Sequence, residues 1–188
     1  ERMQKYVQII KQENNRLKNQ VETVLTTARL TRGKLEMNVE LQELHSLIHE
    51  VTGSVKAELG ENLVFELNAD RTSIYADKVH LINVIRNLVE NAIKYSSKSA
   101  TVTIATHNVP EGIALEIKDK GIGIPKEYQG KIFNKFYRVP TGNVHNVKGF
   151  GLGLSYVKQI IKAHRWSINV VSEYKQGTTF AITIPQEK

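Results

Sequence analysis

The fold is decided by the stretch NLVENAIKY, residues 87–95. On a helix, Asn87, Glu90, Asn91 and Lys94 form one polar stripe, because residues three and four apart share a face. The other faces are apolar: Ile82, Ile85, Leu88, Val89 and Ile93. We therefore expect a largely buried helix whose polar stripe faces a ligand or water. Amide oxygens suit a hard cation and a lysine suits phosphate, but an ordinary solvated helix face has the same composition.

A glycine-rich turn follows a predicted strand at residues 119–125, with the sequence DKGIGIP. Gly121 and Gly123 let the backbone approach a ligand closely. Asp119, at the end of the strand, can accept a hydrogen bond from the exocyclic amine of adenine, whereas guanine presents an acceptor there. The motif can therefore form an adenine site, but taken alone it fits an ordinary Asp-Gly turn better.

A second glycine motif, GFGLGL at residues 149–154, leads into a predicted helix. Free backbone N–H groups at such a helix start can bind phosphate. The motif is neither a Rossmann fingerprint nor a P-loop, because no strand immediately precedes it and no Gly-Lys-Ser/Thr follows. Between the two glycine motifs, IFNKFYR at residues 132–138 offers aromatic anchors and cations. We expect the segment from about 134 to 150 to be a lid that is mobile without nucleotide.

In this order, the motifs resemble those of the ATP-binding domain of sensor histidine kinases. The wider superfamily also contains gyrase, the heat-shock chaperone ATPases and MutL. Residues 87–95 resemble the N box, residues 119–125 and 149–154 the two glycine boxes, residues 132–138 the F box, and GTTF at 177–180 the usual final strand. The resemblance covers roughly residues 1–185. It implies the Bergerat fold, a two-layer α/β sandwich with a mixed sheet, and it implies ATP and Mg²⁺ as cofactors.

The resemblance also implies a role for each residue. Asn91 would ligate magnesium, Asn87 would support the phosphates, and Glu90 stands where the superfamily keeps an acidic residue that assists chemistry or orients magnesium. Asn87 and Glu90 are therefore the catalytic candidates. Lys94 and Tyr95 would touch phosphates or ribose. The remaining predicted nucleotide contacts are Asp119, Gly121, Gly123, Ile124, Phe133, Phe136, Arg138, Gly149, Gly151, Leu152, Gly153, Leu154 and Thr178.

Residues 1–31 carry a heptad pattern, which predicts one long helix. The seam consists of Met3, Val7, Ile10, Asn14, Leu17, Val21, Val24 and Ala28. Such a helix cannot bury its seam alone, so we expect it in a helix bundle. Arg32-Gly33-Lys34 breaks the pattern, which predicts two domains, residues 1–33 and 34–188. The resemblance implies that the helix is the second helix of the dimerisation and phosphotransfer hairpin.

Local patterns predict the elements of the second domain. Predicted strands cover residues 36–39, 63–67, 72–76, 101–107, 113–118, 166–172 and 178–184. Predicted helices cover residues 41–59, 77–94 and 152–164, with Asp77 as an N-cap. The buried stripe of the first helix is predicted to be Leu41, Leu44, Ile48, Val51, Val55 and Leu59. Where the family often has Gly-Gly, this sequence has Arg165-Trp166, and we expect an altered turn or an added packing anchor.

The composition of the chain and the sequence context of its histidines restrict the possible classes of function. The sequence has 188 residues, a net charge of +7 and no cysteine, which excludes disulfide scaffolds and cysteine nucleophiles. No apolar run reaches the roughly 18 residues of a membrane span, and no nucleic-acid-reading motif is present, so we expect no nucleic-acid partner. His49 lacks the basic residue and the Pro that follow the family's phosphoacceptor histidine. His45 and His49 are spaced for zinc, but solvated helix histidines are the preferred interpretation.

The leading hypothesis is a protein-histidine kinase that transfers the γ-phosphoryl of ATP to a bundle-helix histidine, for relay to an aspartate of a response regulator. That histidine is absent from this sequence, so we expect no activity from this chain alone. The family implies a homodimer for the full-length protein, and a cytoplasmic domain of a membrane-anchored parent. Two alternatives stay open: a conformational ATPase of the gyrase, chaperone and MutL superfamily, and a non-catalytic nucleotide-binding or dimerisation module.

Overall fold

The computed structural model describes residues 36–59, 62–96, 101–140 and 150–185, with the side chains of 54–59 excepted. The chain divides into two compact units, Glu1–Glu36 and Met37–Lys188. Within residues 1–35 the structure describes eight positions: Met3, Tyr6, Val7, Ile10, Asn14, Leu17, Val21 and Leu25. All eight are helical and exposed. Six of them belong to the predicted heptad seam, whereas Val24, Ala28 and the predicted linker lie outside the described residues.

The second unit alternates strands and helices. In chain order the elements are β1 (Val39–Glu43), α1 (Leu44–Leu59), β2 (Leu63–Leu67), β3 (Ser73–Asp77), α2 (Lys78–Tyr95), β4 (Val102–Val109), β5 (Gly112–Asp119), α3 (Lys126–Gln129), α4 (Gly153–Ala163), β6 (Ser167–Glu173) and β7 (Gly177–Pro185). Five strands form a sheet in the order β2-β4-β5-β7-β6. The β2–β4 pair is parallel and the other pairs are antiparallel. The predicted mixed α/β sandwich is confirmed.

Helix α2 is the central element of the helical layer, because it packs against both α1 and α4. The side chain of Asp77 caps its first turn by accepting a hydrogen bond from the backbone N–H of His80, at 3.0 Å. Six residues of α2 are buried: Leu81, Val84, Ile85, Leu88, Val89 and Ala92. Each large apolar side chain among them contributes about 1.5–3 kcal/mol on burial. This packing holds the polar stripe of α2 in a fixed position.

The first strand and the first helix of this unit differ from the prediction. The strand predicted at residues 36–39 lies at Val39–Glu43, and the helix begins at Leu44 instead of residue 41. Leu41, predicted to be buried on the helix, lies on β1 and is 61% exposed. The reason is tertiary, because β1 pairs with the distant strand β3 in a separate two-stranded sheet. The Glu43 carboxylate then caps the helix by accepting from the Ser46 N–H.

Other predictions hold within one or two residues. The predicted stripe of α1 is confirmed at Leu44, Ile48 and Val51, while the side chains of Val55 and Leu59 lie outside the described residues. His49 is exposed as expected, but His45 is half-buried, with Nε2 2.8 Å from the Thr106 hydroxyl. The interpretation of His45 as a solvated histidine is therefore wrong.

The turn after α4 contains Arg165 and Trp166, the two residues that stand where the family often has Gly-Gly. Arg165 adopts a positive φ of 60°, and the Trp166 N–H donates to the Ile161 carbonyl at 3.0 Å. The Trp166 ring lies 4.5 Å from that of His164, measured between centroids. This pair adds the packing anchor that the sequence suggests. In the described part of the chain, no helix has the length and apolar character that crossing a membrane requires.

Candidate functional site

The polar stripe of α2 lies at the boundary between core and solvent. Asn87 and Asn91 are half-buried, while Glu90 and Lys94 are exposed. The Asn87 amide is oriented, because its Nδ2 donates to the Asn83 carbonyl at 2.8 Å. Its oxygen is thereby left as an acceptor. The stripe therefore lies between the core and solvent, with the orientation of the Asn87 amide fixed.

The second glycine box meets this stripe at Asn87. A Cβ atom added to Gly153 would come within 2.5 Å of the Asn87 Oδ1. Only glycine permits this approach without displacing the amide. Gly153 is also the first residue of α4, so free N–H groups of that helix start beside the acceptor end of Asn87. The contact joins Asn87, the predicted phosphate support of α2, to the predicted phosphate-binding loop.

The first glycine box meets the C-terminal end of α2. The Ile122 N–H donates to the Tyr95 carbonyl at 3.0 Å, and a Cβ on Gly121 would overlap the same carbonyl. Tyr95 itself is half-buried. Burial raises the pKa of its phenol, and the nearby Arg138 guanidinium opposes that rise. Lys94 Nζ lies 5.2 Å from the centroid of the Tyr95 ring. Two cations and an aromatic ring are therefore present where the C-terminal end of α2 contacts the glycine turn.

Asp119 is the last residue of β5, and its carboxylate is half-buried. Its Oδ1 accepts from the Gly121 N–H at 2.8 Å. Burial raises the pKa of the Asp119 carboxyl, and hydrogen bonds from the backbone N–H groups of Gly121 and Thr178 oppose the rise. Those two donors hold the carboxylate in one orientation. An oriented acceptor at a strand end beside a glycine turn is what the predicted adenine contact requires.

In the F box, Phe133 packs against the sheet, whereas Phe136 is exposed to solvent. The ring of Phe133 packs edge-on against Phe180, with 6.4 Å between centroids, and Lys158 Nζ lies 5.2 Å from the Phe133 centroid. Phe136 is 71% exposed and has a φ of 61°. Its N–H donates to the carbonyl of Gly151 at 3.0 Å, which joins the F box to the second glycine box through their backbones.

Gly151 has to be glycine for two reasons. Its φ is 70°, and a Cβ there would lie 2.7 Å from the Tyr137 carbonyl. Leu152 beside it is buried, and Leu154 is half-buried. Gly149 and the other residues of 141–149 lie outside the described residues, so most of the predicted lid does too. Ile124, at the far end of the first glycine box, has its N–H bonded to Ser172 Oγ at 2.8 Å.

Sequence reasoning missed two residues that hold the first glycine box. Ser172 bonds the Ile124 N–H, and the Gln129 Nε2 donates to the carbonyls of Ile124 and Ser172, both at 2.8 Å. Neither residue stands in a glycine-rich or amide-rich motif, and their only sequence signal is proximity to the GTTF stretch and to the turn. Within the described ranges, no group of three His, Asp or Glu side chains could hold a metal ion. A cation there would depend on amide oxygens and ligand phosphates.

Comparison with known proteins adds family evidence to this geometry. A family model described as histidine kinase-, DNA gyrase B- and HSP90-like ATPase matches residues 76–188. The chain is 42% identical over 182 residues to the sensor protein RprX of Bacteroides fragilis, covering 94% of this chain and 35% of RprX. The chain thus spans about a third of the length of this curated relative.

Solved structures show the same relationship. The histidine kinase AdeS of Acinetobacter baumannii superposes with a TM-score of 0.74 at 27% identity, covering 93% of this chain and 80% of that one. The histidine kinase ThkA, solved in complex with the response regulator TrrA, gives a TM-score of 0.72 at 25% identity. That match covers 97% of this chain and 51% of the other.

Proposed function

This chain belongs to the family of histidine kinase-, DNA gyrase B- and HSP90-like ATPases and contains the catalytic ATP-binding domain of a sensor histidine kinase, and we propose that it transfers the γ-phosphoryl of ATP to a histidine on a bundle helix. One observation carries the proposal: α2 contacts both glycine boxes, with the Asn87 side chain at Gly153 and the Tyr95 backbone carbonyl at Gly121. Segments far apart in sequence are thereby joined around one polar surface.

Nucleotide binding follows from the groups on that surface. Asp119 accepts a hydrogen bond from the adenine amine, while Lys94 and Arg138 neutralise phosphate charge beside Tyr95. The N–H groups at the start of α4 add donors for the phosphate oxygens. The other residues proposed from the family motifs belong to the two glycine boxes and the F box, apart from Thr178 on β7. The surface thus offers an acceptor for the base and donors for the phosphates.

Magnesium fits the amide oxygens of α2. Hard cations take oxygen ligands and keep several waters. Asn91 would hold the ion, with Asn87 supporting the phosphates and Glu90 close by on the same face. Bound magnesium supplies charge neutralisation for the transferred phosphoryl group. The chain's own residues orient the nucleotide, so that the P–O bond to the γ-phosphorus breaks as a P–N bond to the acceptor imidazole forms and ADP leaves.

Residues 1–33 would be the second helix of the dimerisation and phosphotransfer hairpin, and residues 34–188 the catalytic domain. None of the six histidines fits the phosphoacceptor pattern, so the acceptor would lie on a helix beyond this sequence. The full-length protein would form a homodimer with its catalytic domains in the cytoplasm and an anchor in the membrane. A response regulator would be the next partner, as the complex of ThkA with TrrA supports.

The test combines this chain with ATP, Mg²⁺ and a full-length partner that is kinase-dead but keeps its acceptor histidine. We expect acid-labile, base-stable phosphate on the partner. Asn91→Ala should abolish the signal, while Gly53→Ala, on an open position of α1, should leave it intact. ATP hydrolysis without any phosphohistidine would favour the conformational ATPase instead, and absence of ATP binding would overturn the proposal.

A further inference from the structure

Ser172 belongs to a row of three residues that crosses the sheet. Asp119 on β5 is paired with Thr178 on β7, and Thr178 is paired with Ser172 on β6. Residues directly opposite each other on neighbouring strands point to the same face. The adenine-reading carboxylate, the hydroxyl of Thr178 and the hydroxyl of Ser172 therefore stand side by side.

The hydrogen bonds of Ser172 determine the direction of the bond that it shares with Thr178. Its single proton is donated to the Gly177 carbonyl at 2.8 Å, and its oxygen accepts from the Ile124 N–H at 2.8 Å. The Thr178 Oγ1 lies 2.9 Å from the same oxygen. A serine hydroxyl has one proton and two lone pairs. Since the proton is used, Thr178 is the donor in their mutual bond.

The consequence for Thr178 is that its own proton is no longer available to a ligand. Its hydroxyl offers only lone pairs, directly beside the Asp119 carboxylate, which accepts from the Thr178 backbone N–H. Two neighbouring acceptors match an exocyclic amine. They repel the carbonyl oxygen of guanine, because that oxygen, the carboxylate and the hydroxyl lone pairs are all acceptors and none of them supplies a proton for a hydrogen bond.

We infer that Ser172 determines nucleotide specificity, because it holds the Thr178 hydroxyl as an acceptor beside Asp119 and so favours adenine over guanine nucleotides. The inference rests on the proposed function and extends it to a residue outside the family motifs. With Ser172→Ala, the Thr178 hydroxyl regains a free proton. It can then donate to the carbonyl oxygen of guanine.

Gln129 provides a matched control. It bonds the backbone of Ile124 and of Ser172, so it braces the same glycine box and the same strand, but its amide bonds no hydroxyl in this row. A purely structural role of Ser172 should be reproduced by Gln129→Leu. If Ser172 instead sets the direction of the Thr178 hydroxyl bond, Gln129→Leu should not reproduce the effect of Ser172→Ala.

The experiment measures the dissociation constants of ATP and GTP by calorimetry for the wild type, Ser172→Ala, Ser172→Thr and Gln129→Leu. We expect the wild type to prefer ATP and Ser172→Ala to reduce the ATP-to-GTP preference at least tenfold. Ser172→Thr, which keeps the hydroxyl, should keep the wild-type preference for ATP. Gln129→Leu should weaken both nucleotides by a similar factor.

The outcomes separate this inference from the proposed function. A wild type that binds no ATP would overturn both. A wild type that binds ATP, together with an unchanged preference in Ser172→Ala or an equal loss of preference in Gln129→Leu, would overturn the role of Ser172 alone. If Ser172→Ala does not fold, Ser172→Cys, which has a similar shape and a weak hydrogen-bonding thiol, takes its place with the same expected loss, and an unchanged preference there overturns the inference.

Discussion

Asp119 combines partial burial with two backbone donors, so its carboxylate is oriented before any ligand arrives. We predict that Asp119→Asn weakens ATP binding by about 1.5–3 kcal/mol, the contribution of a hydrogen bond to a charged group. That corresponds to roughly one to two orders of magnitude in the dissociation constant. Calorimetric titration with ATP measures the loss, and thermal unfolding shows whether the fold is intact. Equal affinity at an equal melting temperature would exclude Asp119 as the adenine contact.

Gly123 stands where the first glycine box touches the β6–β7 turn. Its φ is +64°, and an added Cβ would overlap the Glu173 carbonyl. We predict that Gly123→Ala lowers both the melting temperature and the affinity for ATP, because the turn and the box must separate. The control is Gly53→Ala in α1, where a Cβ meets nothing within 4 Å. That substitution should stabilise the domain by roughly 0.5–1 kcal/mol. Similar melting temperatures for the two variants would contradict the steric argument.

At the scale of elements, the end of α4 is joined to the start of α2 through one imidazole. His164 Nδ1 donates to the Ile160 carbonyl at 2.9 Å, and its Nε2 accepts from the Asp77 N–H at 2.9 Å. Both ring nitrogens are used only if the ring is neutral. Asp77 is also the N-cap of α2, so this contact links the helix that follows the second glycine box to the helix that carries the N box.

This geometry makes stability depend on pH in a defined direction. Burial lowers the pKa of His164 below 6.5, although the Ile160 carbonyl and the Asp77 carboxylate oppose the shift. The unfolded state therefore binds more protons than the folded state just below pH 6.5, and stability is lost as the pH falls. We predict a smaller pH dependence in His164→Gln, which cannot titrate there. Urea unfolding between pH 7.5 and 5 measures it, and identical pH slopes for both proteins would refute the role.

At the scale of the whole molecule, the unit Met37–Lys188 contains its own core, from Leu44 and Ile48 in α1 to Ile182 in β7. We predict that deleting residues 1–36 leaves a cooperatively folding domain whose affinity for ATP changes less than twofold. Every described site residue lies within this unit. Circular dichroism and ATP titration of the truncated protein check the prediction. A molten or non-binding product would show that the first unit is needed for the nucleotide site.

In the first unit, by contrast, the apolar side chains that the structure describes are exposed and form no core of their own. Met3, Ile10 and Leu17 are 77%, 66% and 56% exposed. We predict that residues 1–31 do not form a stable two-stranded coiled coil alone, since Asn14 occupies the seam and a buried Asn contributes far less than the 1.5–3 kcal/mol of a buried Leu. Eight Lys and Arg against three Glu in residues 1–34 also cause two copies to repel each other. Sedimentation at low and high salt tests this, and a tight, salt-insensitive dimer that needs these residues would contradict it.

Local signals in the sequence were sufficient to predict α2, its cap at Asp77, the glycine turn after β5 and the β6–β7 hairpin. Helical periodicity, capping and turn chemistry act between residues a few positions apart, so they can be read along the chain. The position of Asp119 at a strand end was determined in the same way. The family resemblance rested on these same local motifs.

Tertiary structure alone decided which distant segments meet. Leu41 fits a helical stripe, yet it lies on a strand because β1 pairs with β3. His45 reads as a surface histidine, yet Thr106 from β4 bonds its ring. Ser172 belongs to no motif, yet sheet register places it beside Thr178 and Asp119. Strand register and helix docking depend on the energy of many contacts between residues far apart in the chain, and no local pattern contains that information.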